Sequence, residues 1–394
     1  MTDRPLIRLN PGADRRVKAG HPWAFSNEVA MTPALRALPP GTVVRLEGDD
    51  GVRHGAWHFN PHSLIAARRL DADPAAPCDA GWFRAKLAAC LALRDRLFDA
   101  PFYRLVHAEA DGLPGLVIDR YGDAVALQAN TAGMDRAIPD ILAALRDLLA
   151  PRVVVARNDS AVRRLEGLEE GVAPLHGTDG TATVEEAGLS FPVDLLGGQK
   201  TGWFFDQRPN RALVARMAAG RTVLDAFCHL GGFGLAAARA GAREVTLLDR
   251  SEHALDLATQ AAAGAGLAGR ITPLKAEALE HLERMAASGR RFEVVVADPP
   301  AFAKTRKDIP AALRGYAKLA RLAASVTAPG GILFIASCSH HVGVPDFVEA
   351  VAWGVHRARR EARILATTGA GPDHPVHPAL PESAYLKGQL LALD

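Results

Sequence analysis

Only four cysteines occur in 394 residues, Cys78, Cys90, Cys228 and Cys338, and no two of them form the CxxC pairs of a zinc site or the dense pattern of a disulfide scaffold. Any cysteine chemistry is therefore expected to be that of a reduced thiol. Long apolar runs are missing too: no stretch of about 18 apolar residues is present, which excludes a membrane-spanning helix. The first residues, MTDRPLIRLNPG, place acid and proline where a secretion signal needs an apolar segment, so a cytoplasmic location is expected. A net charge of +2 excludes a strongly basic nucleic-acid coat, and no tandem repeat or low-complexity block appears.

What is present is a composition of 48% apolar and 23% charged residues, that of a globular protein long enough for two or three domains. Basic residues cluster locally. Arg4, Arg8, Arg15, Arg16 and Lys18 fall in residues 1–18, and Lys304, Arg306, Lys307, Arg314, Lys318 and Arg321 fall in 304–321 beside Asp308. Such faces suit contact with a nucleic-acid backbone, and equally suit ordinary solvated helices and loops.

Residues 1–72 read as short strands punctuated by Gly and Pro, such as GTVVRLEG and GVRHGAWHF, forming a small β-rich domain that ends at the linker-like DADPAAPCDAG. Residues 80–195 read as a mixed α+β domain. Its features are the helix GWFRAKLAACLALRDRLF, an apolar helical face at Met134, Ile138, Ile141, Leu142, Leu145, Leu148 and Leu149, and a hairpin in TVEEAGLSFPVDL. From 196 to 394 strands and helices alternate (RTVLDAF, EVTLLD, ITPLKAE, FEVVVADPP, GGILFIAS), predicting a parallel α/β sheet with helices on both faces and its ligands at the carboxyl ends of the strands.

The strand ends carry the chemistry. VLDAFCHLGGFG ends a strand in Asp225 and turns through Gly231, Gly232 and Gly234 into a helix, and the next strand ends in Asp249, where a carboxylate can accept both ribose hydroxyls. This is not the G-x-G-x-x-G fingerprint, and Asp225 would repel a pyrophosphate while suiting the ammonium of S-adenosylmethionine. Glu277 is placed to meet an adenine edge or to cap a helix. In Asp298-Pro299-Pro300-Ala301-Phe302, paired prolines hold an acid and an aromatic rigidly, a means of gripping the polar edge and face of a flipped base, where the alternative is a plain proline turn. Cys338 ends an apolar strand. A cysteine there is either a small buried hydrophobe or a thiolate that adds to carbon 6 of a pyrimidine and so activates carbon 5 for methylation. Ser337, Ser339, His340 and His341 are candidate assistants. His374 and His377 have metal-like spacing without a completing cluster and read as loop residues, so no metal is expected, and Cys228 reads as lining the cofactor pocket.

These motifs together resemble the RlmI-like class I methyltransferases. GHPWAFSNEV is similar to the start of their N-terminal PUA domain, and EADGLPGLVIDRYGD and RNDSAVRRLEGL to their middle domain. GGQKTGWFFDQRPNR, LDAFCHLGGFG, ADPPAFAK and ASCSHHV are similar to their catalytic domain. The resemblance implies a Rossmann-like methyltransferase sheet preceded by a PUA-like and an α+β domain, S-adenosylmethionine as cofactor, and 5-methylcytidine in large-subunit ribosomal RNA as product. It implies that Gln199, Lys200, Thr201, Gly202, Phe205, Asp206, Gln207 and Arg208 sit near the cofactor. It further implies that Asp225, Phe227, Gly231, Gly232, Asp249, Arg250, Ser251, Glu277, Ala278 and Asp298 line the pocket, and that Cys338 is the nucleophile, with Asp298 catalytic beside it. Expected partners are ribosomal RNA and a second copy of the chain, with no membrane. Where many cytosine-5 RNA methyltransferases carry a second cysteine after the motif proline, this chain has Ala301, so the base that removes the carbon-5 proton is unassigned. The rival readings are methylation of a base amino group and a non-catalytic RNA-binding assembly factor.

Overall fold

The computed structural model describes residues 4–198, 202–303 and 305–394. They form two compact units, one made of the described residues of Met1–Thr183, Val193–Phe205 and Pro372–Pro381, the other of Val184–Pro192, Asp206–Gly371 and Glu382–Asp394.

The first unit holds two five-stranded sheets. Strands β1 (Leu6–Arg8), β2 (Trp23–Ala24), β3 (Thr42–Glu47), β4 (Arg53–Phe59) and β5 (Ala67–Asp71) lie in the order β1-β3-β4-β5-β2. The two-residue period of a half-buried strand is plain in β3, where Val44 and Leu46 are buried and Val43, Arg45 and Glu47 are less so. The second sheet comprises β6 (Phe102–His107), β7 (Leu116–Tyr121), β8 (Ala124–Ala129), β9 (Val153–Asn158) and β10 (Gly171–His176), in the order β10-β9-β8-β7-β6. It shares a core with the helices Ala80–Leu97 and Ile138–Leu149. The apolar face expected as one run from Met134 is split between two helices, Ala132–Arg136 and Ile138–Leu149, because Pro139 has no N–H to give and opens the second helix at its first turn. The RNDSAVRRLEGL segment contributes a short 3-10 turn, Ala161–Glu166. The expected hairpin forms from β11 (Thr181–Glu186) and β12 (Leu189–Asp194).

The second unit is a seven-stranded sheet built from β13 (Thr222–Ala226), β14 (Glu244–Asp249), β15 (Ile271–Lys275), β16 (Phe292–Ala297), β17 (Thr327–Ser337), β18 (Ala362–Thr368) and β19 (Lys387–Leu393). Their order is β15-β14-β13-β16-β17-β19-β18, the first five parallel and β19 antiparallel to both of its neighbours. Strands buried on both faces read as unbroken apolar runs, and Val294, Val295, Val296 and Ala297 of β16 are fully buried. This is the expected Rossmann-like α/β fold. The order reverses between β14-β13 and β13-β16, the switch point at which such sheets open a crevice at their carboxyl ends. Among the described residues no helix is long and apolar enough to cross a membrane.

Candidate functional site

Five parallel strands bring their carboxyl ends to one edge of the second unit. In sheet order these ends lead into Glu277, Asp249, Asp225 with Phe227, Asp298 and Cys338. Neighbouring loops are tied across the strands: Cys228 N–H donates to the Leu248 carbonyl at 3.1 Å, Ala276 N–H to the Asp249 carbonyl at 3.0 Å, and Asp298 N–H to the Ala226 carbonyl at 3.5 Å.

The loop after β13 is conformationally costly. Phe227 (φ +63°) and His229 (φ +50°) occupy the left-handed region, as does Gly231 (φ +75°), which caps the helix Gly232–Arg239. The turn aims backbone donors at the acids. His229 N–H donates to Asp249 Oδ2 at 2.9 Å, Ser251 N–H to Asp249 Oδ1 at 2.9 Å, and Gly234 N–H to Asp225 Oδ2 at 2.8 Å. Ser251 also caps the helix Glu252–Gly264 through its hydroxyl. Arg250 is exposed, Ala278 is buried, and Glu277 occupies the cap position of the helix Ala278–Ala287 with no side-chain cap bond, leaving its carboxylate exposed.

Asp225 is the telling residue. It is buried, its Oδ1 has no hydrogen-bond partner among the described residues, and burial together with the nearby Asp298 and Asp249 charges pushes its carboxyl up to about 8. Three acidic side chains gathered beside a glycine turn disfavour phosphate and suit a cation. A ligand carrying an ammonium, a sulfonium and a ribose meets that requirement, so the residues present fit S-adenosylmethionine.

The segment before the sheet divides between the two units. Gly202 (φ +111°) and Phe205, whose ring lies 5.3 Å from that of Tyr121, belong to the first unit. Gln199, Lys200 and Thr201 lie outside the described residues. Asp206, Gln207 and Arg208 belong to the second unit. Asp206 Oδ2 accepts from the Tyr385 hydroxyl at 2.6 Å, Gln207 Nε2 donates to Asp298 Oδ2 at 2.9 Å, and Arg208 Nε pairs with Glu186 at 3.2 Å.

Cys338 is half-buried at the end of β17. The other thiols differ: burial pushes Cys78 up to about 11, Cys90 up to about 12 and Cys228 well above the ordinary thiol range, so none of these three is a ready thiolate. Beneath Cys338 lies a buried hydroxyl cluster. Ser337 Oγ donates to the Tyr316 hydroxyl at 2.8 Å, and that hydroxyl lies 2.8 Å from Ser339 Oγ, which also accepts from Ala303 N–H at 3.2 Å. The two serines thus spend their hydroxyls on Tyr316 and the backbone, where they shape the loop. Phe302, expected over a base, is half-buried and packs its ring 4.7 Å from that of Tyr316. His340 stacks on Tyr385 at 4.9 Å, and His341 is exposed. On the other side, Lys387 donates from Nζ to the Ser339 and Val342 carbonyls, both at 2.6 Å. Tyr316, Tyr385 and Lys387 carried no motif in the sequence. For Tyr316 and Lys387, the available signal was a polar residue embedded in an apolar run.

The basic run near the N-terminus is largely spent on nearby partners of its own unit: Arg8 pairs with Glu47, Arg16 with Glu28, Lys18 with Asp14 and Asp50, and Arg4 donates to the Pro74 and Pro77 carbonyls. Of the second run, Lys304 lies outside the described residues, and Lys318 and Arg321 stand 3.8 and 3.7 Å from Glu283. His374 lies in a loop, as expected, yet is buried against Asp373 at 3.0 Å with its ring 5.0 Å from that of His107.

Comparison with known proteins agrees with this geometry. The profile of the S-adenosylmethionine-dependent methyltransferase family matches residues 152–391, and that of the PUA-like domain matches residues 7–72. The chain is 37% identical over 392 residues to the ribosomal RNA large subunit methyltransferase I of Aeromonas hydrophila subsp. hydrophila, covering 97% of this chain and 98% of the relative. It is 34% identical to the protein of the same name from Pseudoalteromonas atlantica, with the same coverage. Among solved structures, a SAM-dependent methyltransferase from Streptococcus mutans superposes with a TM-score of 0.82 at 20% identity, covering 98% of this chain and 100% of its own. SMU.776, a methyltransferase complexed with SAH, superposes with a TM-score of 0.83 over the same shares at the same identity, which speaks to the fold. An acidic, glycine-turned strand edge at the switch point of the sheet, a PUA-like N-terminal domain and relatives matched over nearly their full length converge: the chain belongs to the RlmI-like family of S-adenosylmethionine-dependent methyltransferases.

Proposed function

We propose that the enzyme methylates carbon 5 of a cytosine in large-subunit ribosomal RNA through a covalent adduct with Cys338. The observation that carries this reading is the half-buried thiol at the end of β17, on the same sheet edge as the acidic side chains, while the other three thiols are raised by burial. In this reading Asp225 would hold the cofactor's ammonium, Asp249 its ribose hydroxyls and Glu277 its adenine edge. Asp206, Gln207 and Arg208, of the same unit, complete the approach. When bound, S-adenosylmethionine supplies an electrophilic methyl group.

Carbon 5 of cytosine is a poor nucleophile. The Cys338 thiolate forms a bond to carbon 6, and the electron pair of the 5,6 double bond moves onto carbon 5, which takes the methyl group while the pair of the broken methyl–sulfur bond stays on the donor's sulfur, leaving a neutral thioether. A base takes the carbon-5 proton, that C–H pair re-forms the double bond, and the thiolate departs. Asp298, oriented by Gln207, grips the polar edge of the cytosine, which must be flipped to reach the strand ends. The proposal includes a PUA-like RNA-binding domain at 1–72, a middle domain at 80–195 and a catalytic domain at 196–394, acting in the cytoplasm as a homodimer.

The test offers ribosomal RNA and labelled methyl donor to the wild type and to Cys338→Ala, with the methylated position located by mass spectrometry. A label on carbon 5 that disappears in the variant supports the reading. Full activity in Cys338→Ala overturns the nucleophile, and a methyl group on an exocyclic amine establishes the rival N-methylation instead.

A further inference from the structure

The geometry points to Lys387 as the positioning residue for Cys338, its ammonium fixing the backbone that presents the thiol and favouring the ionised sulfur. This rests on the reading of Cys338 as the attacking group.

Lys387 brackets the cysteine from both sides. Its backbone pairs with Ser337, the residue before Cys338, in the antiparallel register of β17 and β19. Its Nζ then reaches past Cys338 to the carbonyl of Ser339, the residue after it, and to that of Val342, each at 2.6 Å. The side chain is only 2% exposed, so the ammonium is sequestered from water, and such burial is unfavourable unless the charge is compensated. Two carbonyl dipoles supply part of the compensation. No carboxylate is paired with it among the described residues. Burial pulls the amine down to about 8, and the group whose charge opposes that pull is Cys338. A buried cation with a thiol as its charge partner is an arrangement that lowers the thiol's pKa. Tyr316 also lies within electrostatic reach of the thiol, its hydroxyl spent on Ser337 and Ser339, and His340, two residues along the chain, stacks on Tyr385.

The step this serves is addition of the thiolate to carbon 6, whose rate follows the thiolate fraction. Chain motion matters as well, because the loop 339–342 that Lys387 ties down leads directly into the helix Val344–Arg357. Loss of the ammonium removes both the anchor and the charge.

The experiment measures alkylation of Cys338 by iodoacetamide against pH in the full-length protein, resolved by peptide mass spectrometry, with the buried Cys90 and Cys228 as internal reporters of folding. Lys387→Met is expected to raise the apparent pKa of Cys338 by about one unit, reducing its alkylation near neutral pH about tenfold, while Lys387→Arg largely retains the wild-type value. In methyl transfer, kcat falls about tenfold at neutral pH and recovers as pH rises, with KM for RNA unchanged. A Cys338 pKa in Lys387→Met equal to that of the wild type overturns the inference. Should Cys90 and Cys228 become reactive in Lys387→Met, Lys387→Gln takes its place, since it keeps a donor for the two carbonyls and deletes only the charge. The same pKa criterion then decides. Because thiol ionisation is read without methyl transfer, failure of Lys387 as a positioning residue is distinguishable from failure of Cys338 as the nucleophile.

Discussion

Gln207 Nε2 donates a 2.9 Å hydrogen bond to Asp298 Oδ2, joining the segment that enters the sheet to the acid that ends β16. Gln207 is itself held, because its Oε1 accepts from Asn210 Nδ2 at 2.6 Å and the residue is 3% exposed. The amide therefore fixes the orientation of the carboxylate before any substrate arrives. Replacing Gln207 by Leu removes a hydrogen bond to a charged group, worth about 1.5–3 kcal/mol. The expected outcome is a loss of about tenfold or more in kcat/KM for methyl transfer, together with a lower thermal midpoint of the free enzyme, because the buried Asn210 amide also loses its acceptor. Steady-state kinetics beside a melting curve check it, and an unaltered kcat/KM would show that Asp298 needs no such support.

A second prediction follows from the raised carboxyl of Asp225. Its folded value of about 8 lies well above the unfolded value near 4. Between these limits the folded protein keeps a proton that the unfolded chain has released, so this group removes stability as pH climbs from about 4 to about 8 and removes no more beyond that. Asp225→Asn has no such slope. Without cofactor, the variant is expected to match the wild type near pH 4.5 and to melt several degrees higher at pH 8. With S-adenosylmethionine, the wild type gains stability because the ligand's ammonium stabilises the ionised carboxylate, and the variant gains little. Melting curves at both pH values, with and without ligand, read all four states.

The sequence made the parallel part of the sheet legible for a physical reason. Strands buried on both faces must be apolar throughout, so Val294–Ala297 and Ile332–Ala336 announce themselves, and the acids Asp225, Asp249 and Asp298 stand out as the first polar residues beyond such runs. What was not legible is topology. Strand β19 comes last in the chain yet sits between β17 and β18, and neither its composition nor its spacing says beside which strand it pairs. Lys387 therefore looked like a residue near the C-terminus rather than a neighbour of Cys338. Tyr316 was hidden similarly, as one ring on the apolar face of the helix Ile309–Val326, where only packing reveals that its hydroxyl meets Ser337 and Ser339. The serines beside Cys338 suggested help for the thiol, because the sequence shows adjacency but not the partner that consumes each hydroxyl.

Gly231 offers a third test. At φ +75° it lies where an L-residue costs about 1–2 kcal/mol, and a Cβ there would stand 3.2 Å from the side chains of both Ala258 and Leu247. Gly220 (φ +72°) has nothing within 4 Å of the same added atom and serves as the control. Gly231→Ala is expected to lose more stability than Gly220→Ala in urea unfolding and to bind S-adenosylmethionine about tenfold more weakly by calorimetry. Gly220→Ala should lose only the backbone share, with its ligand affinity intact. Equal effects in the two variants would mean that the neighbours of Gly231 yield without disturbing the turn.

Tyr316→Phe isolates the buried hydroxyl while leaving the ring. The ring packs 4.7 Å from Phe302 and 5.2 Å from Phe347, contacts that the substitution preserves, so the volume of the core is kept. What disappears is the acceptor of the Ser337 hydroxyl, whose oxygen still accepts from Ser339 N–H at 3.3 Å, and one partner of Ser339 Oγ, and a buried donor left without its bond costs about 1–3 kcal/mol. The urea midpoint should fall by the equivalent of that amount. Because the two serines flank Cys338, their release should also loosen the presentation of the thiol, giving a lower kcat even where the protein remains folded. A variant that loses stability but keeps the wild-type kcat would assign Tyr316 to the core alone, whereas loss of both places the hydroxyl cluster under the reacting sulfur.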